Sequence, residues 1–304
     1  MIRQLLLPAA CCWLAFVSFA TAQVISTNIS VADTFVRSLD PTHNYGGAGA
    51  LAVSGAIATN VLGQQEGLLD SFLRFDTSSA VSNFNSSFGP GQWMIVRATL
   101  NLFEQGAPNN TIFNRGVGPF EVRWITTNSW MEGTGNPNAP TTDGVVWNDE
   151  PSMFTNLDES LGTFVNGGTD GLVRASLGMP SGFVGDISTG GLASFYMTAP
   201  TNSTVGFTFH SHNFVDSTQW PFLELMAVPT PRITALVFTN SDVMIGFTTA
   251  NGLTNTVEYT ADLAGGTWTV LTNVTGTGLI TNVIDSSAAL LPGRFYRVRL
   301  AVPP

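Results

Sequence analysis

Apolar and polar residues alternate with a period of two along most of this chain, and stripes at helical spacing are almost absent. Between Ile95 and Phe103, Val96, Ala98, Leu100 and Leu102 alternate with Arg97, Thr99 and Asn101. Phe120, Val122 and Trp124 alternate with Glu121 and Arg123, and Val205, Phe207 and Phe209 with Thr204, Thr208 and His210. Leu223, Leu225 and Ala227 oppose Phe222, Glu224 and Met226. Successive strand side chains point to opposite faces, so each run predicts a strand with one buried face. Gly89-Pro90-Gly91, the segment 133–140 and Asn166-Gly167-Gly168 read as turns, and one helical turn is expected around Thr77 to Phe84.

Two prolines within three residues, Pro229 and Pro231, end the last of these runs and form a short stiff linker. Six further strand-like runs follow: Ile233–Thr239, Val243–Thr249, Thr256–Thr260, Thr267–Thr272, Leu279–Asp285 and Phe295–Leu300. The pattern therefore predicts an all-β chain of two units. Residues 23–228 suit a larger β-sandwich such as a jelly roll. Residues 229–231 are the linker, and residues 232–304 suit a small fibronectin-type-III-like or immunoglobulin-like sandwich.

Residues 1–22 read as a signal peptide. Arg3 precedes an apolar stretch from Leu5 to Ala20, and Ala20-Thr21-Ala22 offers small residues for cleavage before Gln23. A second reading makes Cys11 or Cys12 a lipid-bearing N-terminus, with only Leu5 to Leu7 as a continuous apolar core before it. Secretion to the exterior or the cell surface is the expectation. Both cysteines lie inside this leader, so the remainder has no disulfide, no thiolate nucleophile and no cysteine-bound zinc. Lysine is absent, and without Arg3 ten arginines face 21 acids, a formal charge of −11. That balance argues against nucleic acid and anionic membranes as partners. No later stretch resembles a membrane span, so no membrane insertion is expected.

The first unit resembles the DNRLRE-type domains, also classed as carbohydrate-binding module family 96. The landmarks are Ala32-Asp33-Thr34-Phe35-Val36-Arg37, Asn44-Tyr45-Gly46, Leu51-Ala52-Val53 and Phe72-Leu73-Arg74-Phe75-Asp76. Val96 to Leu102, Trp130-Met131-Glu132-Gly133, Val146-Trp147-Asn148, Pro151, Val205-Gly206-Phe207 and Pro221 to Leu225 follow in order. The six letters that name the family do not occur here, which makes the chain a divergent member. The resemblance implies a jelly roll in extracellular bacterial proteins, with acidic polysaccharide as the ligand of some relatives. The excess of acids opposes such a ligand here. The second unit looks like a C-terminal module of secreted proteins of Verrucomicrobia and Planctomycetes. Val257-Glu258-Tyr259, Asp262-Leu263, Trp268 and Arg294 to Arg299 carry that likeness.

No paired-acid signal for glycoside cleavage stands out. Asp149 and Glu150 are adjacent and point opposite ways when extended, while Glu132, Asp143 and Asp158 lie in neighbouring loops with no spacing that joins them. His210 and His212 sit two apart on a predicted strand and share its outer face, a geometry that suits either one metal ion or plain polar surface. Asp33, Asp40 and Asn44 beside the Gly46-Gly47 turn are candidates for a structural calcium ion, or turn formers fixing the first strand. A lyase would need a base such as Tyr45, Tyr196 or His43.

Flat aromatic rings cover the apolar face of a sugar, which makes Trp93, Trp130, Trp147 and Trp220, at strand starts or in loops, the candidate platforms. Trp124 and Trp268 fit core positions. Arg37 and Arg74, with Arg97 on a third landmark strand, are candidate partners for an acidic sugar or for Asp33 and Asp76. Phe295, Arg297 and Arg299 share an outward strand face. The function expected from these features is a secreted, non-catalytic module binding a polysaccharide or cell-surface glycan. The alternatives are a structural or adhesive protein and, behind it, a polysaccharide lyase or hydrolase.

Overall fold

The computed structural model describes residues 23–105, 117–291 and 293–301; the expected leader lies outside them. Two compact units emerge, Gln23–Thr230 and Pro231–Ala301. Among the described residues no helix is long and apolar enough to cross a membrane.

Among the described residues the first unit carries ten strands: Val24–Arg37 (β1), Ala50–Ser54 (β2), Leu69–Asp76 (β3), Trp93–Glu104 (β4), Gly118–Ile125 (β5), Glu159–Asn166 (β6), Gly171–Leu177 (β7), Leu192–Thr198 (β8), Gly206–His210 (β9) and Phe222–Pro229 (β10). Every pairing is antiparallel, as expected of an all-β chain with alternating faces. β1 changes partner midway. Val24 to Ile29 pair with β10, and from Ser30 to Arg37 the same strand pairs with β3 across a bulge between Ser30 and Ala32. From β10 the ladder passes to β4 and on to β7; from β3 it passes through β8 and β5 to β6. β2 and β9 pair with each other and touch β3 and β4 by one residue pair each.

The alternation read along these strands places the core. Phe120, Val122 and Trp124, Phe207 and Phe209, and Leu223, Leu225 and Ala227 all enter one cluster with Leu73, Phe75 and Phe195. In β4 the phase changes. Val96 was expected to face inward with Ala98, yet Ile95 takes the inward place, because the β4–β10 register slips by one residue between Arg97 and Ile95.

Helical content exceeds the single expected turn. Ser78–Phe88 (α1), Glu150–Met153 (α2) and Ser181–Thr189 (α3) are α-helical. α1 buries Ala80 and Phe84, four apart on one face, and stops at Gly89, whose φ of 92° suits glycine. α3 buries Phe183 and Ile187 with the same spacing. Glu159 accepts hydrogen bonds from the amides of Gly182 and Phe183 at its N-terminus, and Asp186 accepts one from the Trp124 indole at 2.9 Å.

The second unit is a pair of three-stranded antiparallel sheets. Ile233–Thr239 (β11), Asp242–Thr248 (β12) and Ile280–Asp285 (β15) form one; Thr254–Thr260 (β13), Thr269–Thr275 (β14) and Phe295–Leu300 (β16) form the other. Val243, Ile245, Phe247 and Val257 lie between them, with Tyr296 and Val298 packed against the cluster. Trp268 departs from its expected core position. It is half-buried, with the Arg297 guanidinium 4.1 Å above its ring, and Arg297 also pairs with Glu258 at 2.6 Å.

In the first unit a long segment from Thr126 to Asp158 covers the outer face of β3 and β8. Its Trp130, Val145 and Met153 bury against Ala32, Val36, Phe72 and Tyr196. Asn44 holds the segment in place. Its side-chain NH2 donates to the carbonyls of Glu132 (2.6 Å) and Val145 (2.9 Å), and its side-chain oxygen accepts from the Gly46 amide (2.9 Å). Gly133, at φ +77°, and Gly135 pack so closely on Asn44 that a Cβ at either would overlap it. Replacing Asn44 by Ala leaves three buried backbone groups without partners, each costing about 1–3 kcal/mol. The Asn44→Ala variant is therefore expected to lose about 3 kcal/mol or more in denaturant unfolding, with the first protease cuts falling between 126 and 158. Cleavage that starts elsewhere would show that Asn44 does not hold this segment.

Candidate functional site

The ends of β4 and β9 meet at an open groove with a cavity volume of about 510 Å³. Glu104 closes β4, where it pairs with Gly171 and Phe209. It lies in the phase of Leu100 and Leu102, so the strand delivers a carboxyl to a core-facing position at its mouth. Burial pushes this carboxyl up to about 7, although the Asn166 amide donates to it at 2.7 Å. His210 closes β9 and stacks on Phe214, with ring centres 3.6 Å apart and an interplanar angle of 13°. Burial pushes the imidazole down from its ordinary value, so it enters neutral solution uncharged.

The turn beyond β9 shapes the opposite wall. Phe214 donates its amide to the Ser211 carbonyl, and the Asp216 carboxylate caps the helical turn Ser217–Gln219 through the Thr218 amide. The same carboxylate accepts from the Gln219 side chain at 3.0 Å, which orients that amide at the groove. Gln105 and the exposed Asp170 complete the polar lining. One groove thus gathers two carboxyl groups, two amides, a neutral imidazole and the phenyl rings of Phe103 and Phe214. That set can hydrogen-bond hydroxyls and cover an apolar ring face. Among the described residues its lining includes no arginine.

The residues singled out from the pattern lie elsewhere. Trp130 is buried rather than exposed: its indole donates to Ser194 at 3.0 Å and Arg74 covers its ring at 4.7 Å. No open face remains for a sugar. Trp147, on the covering segment itself, is half-buried against the cluster that the segment forms with β3 and β8. Trp93 packs at a tilt against Phe84 and donates to Asn85, lining an apolar cavity of about 410 Å³ with Met179 and Val184. Trp220 donates to the Phe214 carbonyl and meets His212 edge-on. The four do not form one platform.

The arginines are also engaged, and not with Asp33 or Asp76 as expected. Arg37 pairs with Glu66 at 2.7 Å, Arg74 donates to the carbonyls of Asn128 and Trp130, and Arg97 pairs with Glu224 at 3.4 Å. The calcium candidates part company as well. Asp40 accepts from Tyr45 and meets His43, Asn44 spends both ends of its amide on backbone, and Asp33 turns to His212. His210 and His212 do not share a face, because the chain turns at Ser211: His210 enters the groove while His212 points toward Asp33 and Glu132.

Both tyrosines proposed as bases are held protonated. Burial raises Tyr45 to about 12 and Tyr196 further still. Tyr196 donates to Glu150 at 2.6 Å beside the buried Asp70. Asp143 caps Thr134 and Asp158 caps Thr126 and Thr155, which leaves them as turn formers. Glu104, Asp170, Phe214 and Gln219 escaped the reading of the sequence. Only Glu104 carried a signal there, as an acid in the inward phase of an apolar strand.

The fold defines the chain as an all-β protein with an open, largely polar groove at one end of its larger unit. Compared with models of protein families and with curated proteins, it matches none.

Asp70 supplies a test of the burial beneath the covering segment. Burial first, and the nearby Glu150 second, raise its carboxyl to about 7 from an ordinary 3.8. The folded state then holds a proton that the unfolded chain has released, so stability falls as pH rises from about 4 to 7 and the loss is complete above 7. Asp70→Asn removes the charge. Thermal melts are expected to show the variant several degrees more stable at pH 8, with the gap closing toward pH 4. A gap of equal size at both pH values would mean that the carboxyl is ionised throughout.

Proposed function

We propose that this chain is a secreted carbohydrate-binding protein whose larger unit, a divergent DNRLRE-type jelly roll, takes an uncharged glycan in the groove at the ends of β4 and β9. The observation that carries the reading is the composition of that groove: Glu104, Asp170, Gln105 and Gln219 converge beside the stacked His210–Phe214 pair. Carboxyl and amide groups satisfy sugar hydroxyls in both directions, and a phenyl ring takes up the C–H face. The absence of lysine from the sequence, and of arginine among the described residues of the wall, favour a neutral polysaccharide over an acidic one.

The same groove lends one observation to a glycoside hydrolase. Burial, with a smaller contribution from the nearby Asp170, raises Glu104 to about 7, and a carboxyl that keeps its proton near neutral pH is what acid catalysis of glycosidic cleavage uses. Glu104 would donate the proton to the leaving oxygen, with Asp170 as the second carboxyl group lining the groove.

Affinity electrophoresis through neutral and acidic polysaccharides separates these readings. Retention on a neutral polysaccharide is expected, falling at least about tenfold in Phe214→Ala and Gln219→Ala, each change removing on the order of 1.4 kcal/mol or more of binding. Melting temperatures should change little, since both side chains stand at the groove rim. Retention only on acidic polymers, or retention that survives both substitutions, overturns the proposal. Release of reducing ends that disappears in Glu104→Gln would place the hydrolase first.

A further inference from the structure

We propose that Asp33, Glu132 and His212 form a binding site for a divalent cation of the zinc type, separate from the glycan groove. The three side chains come from β1, from the covering segment and from the turn after β9, and one ligand atom from each lies within 4.8 Å of the others. His212 Nδ1 stands 3.4 Å from Asp33 Oδ1 and 3.4 Å from Glu132 Oε1.

Those separations distinguish two arrangements. A charged imidazole donating to a carboxylate sits about 2.7–2.9 Å away and has only one N–H at Nδ1 to give. Here the nitrogen is equally far from both acids, and neither it nor Asp33 Oδ1 has a hydrogen-bond partner. Zinc bonds of about 2.0–2.2 Å to oxygen and nitrogen, held tetrahedrally, put neighbouring ligand atoms about 3.4 Å apart. The observed spacing is the edge of such a tetrahedron.

Asp33 gives the second, independent indication. Its side chain is 0 % exposed, and Oδ1 has no hydrogen bond and only the imidazole 3.4 Å away, a costly position for a buried carboxylate oxygen that a bound cation would relieve. Its other oxygen is fully used: Ser30 Oγ donates to Oδ2 at 2.8 Å and the His212 amide at 2.9 Å. These two bonds turn Oδ1 toward the imidazole. Asn213 donates to Glu132 Oε1 at 2.6 Å and fixes the second acid. The His212 and Glu132 side chains remain 21 % and 19 % exposed, which leaves a path for the ion and room for a water as fourth ligand. An imidazole with two carboxylates suits zinc, whereas calcium takes six to eight oxygens. The ion would tie the covering segment to the strand beneath it.

The test uses the full-length protein, stripped with a chelator and dialysed against metal-free buffer. One equivalent of Zn2+ should bind, raise the melting temperature, and be replaced by Co2+ with the visible absorption of a tetrahedral centre. His212→Ala should lose the equivalent and the absorption, while His43→Ala should keep both. Zinc bound equally by His212→Ala, no zinc bound by the parent protein, or stabilisation by Ca2+ but not Zn2+ each overturns the proposal. Should His212→Ala fail to fold, the Co2+ form of the parent protein decides: a paramagnetically shifted imidazole resonance supports the site, and its absence refutes it.

Discussion

A single buried carboxamide organises the larger unit. Asn44 faces backbone with every polar atom it has, and what it grips is the long segment that closes one side of the sandwich. Because its partners are carbonyls and an amide inside the protein, no water can stand in for it. The glycines around it follow from the same constraint, since the backbone must come closer than a Cβ allows. Trp130 and Val145 are then delivered to the outer face of β3, and Arg74 finds carbonyl partners in the segment laid over it. The run Asn44-Tyr45-Gly46 therefore reads as a fastening between two parts of the backbone. A cation ligand at Asn44 would have to abandon it.

Wherever burial alone decides, the alternation along the chain maps directly onto the structure. β5, β9 and β10 present the inward faces expected of them, and six strands follow the proline pair. The failures have separate physical causes. In β4 one bulged residue shifts the inward phase from Val96 to Ile95, and a period-two pattern contains no mark for an inserted residue. α3 escaped notice because Ser181, Gly182, Gly185 and Thr189 are poor helix formers; tertiary contacts and the Glu159 cap sustain it instead.

The candidate chemistry was less legible, and for one reason. Aromatic residues in turns looked available, but the covering segment buries Trp130 and packs Trp147. The groups that do converge come from strand ends far apart in sequence: Glu104 with Asp170, and Asp33 with Glu132 and His212. Spacing along one strand reports only neighbours on that strand. His210 and His212 illustrate the limit, since two residues of separation predict a shared face and the turn at Ser211 sends them to different sites. The acids at inward phases were the detectable trace. Glu104 after Leu100 and Leu102, and Asp33 before Phe35, break an apolar pattern on a buried strand face.

β1 divides its length between β10 and β3, and this has a consequence for assembly. Residues 24–29 find their ladder partners only at 222–227, so the opening strand must wait nearly two hundred residues for its mate. Closing a loop of that span is slow, and the half of the strand already docked on β3 leaves a bare edge meanwhile. A growing chain therefore cannot seal this unit before its final strand has emerged.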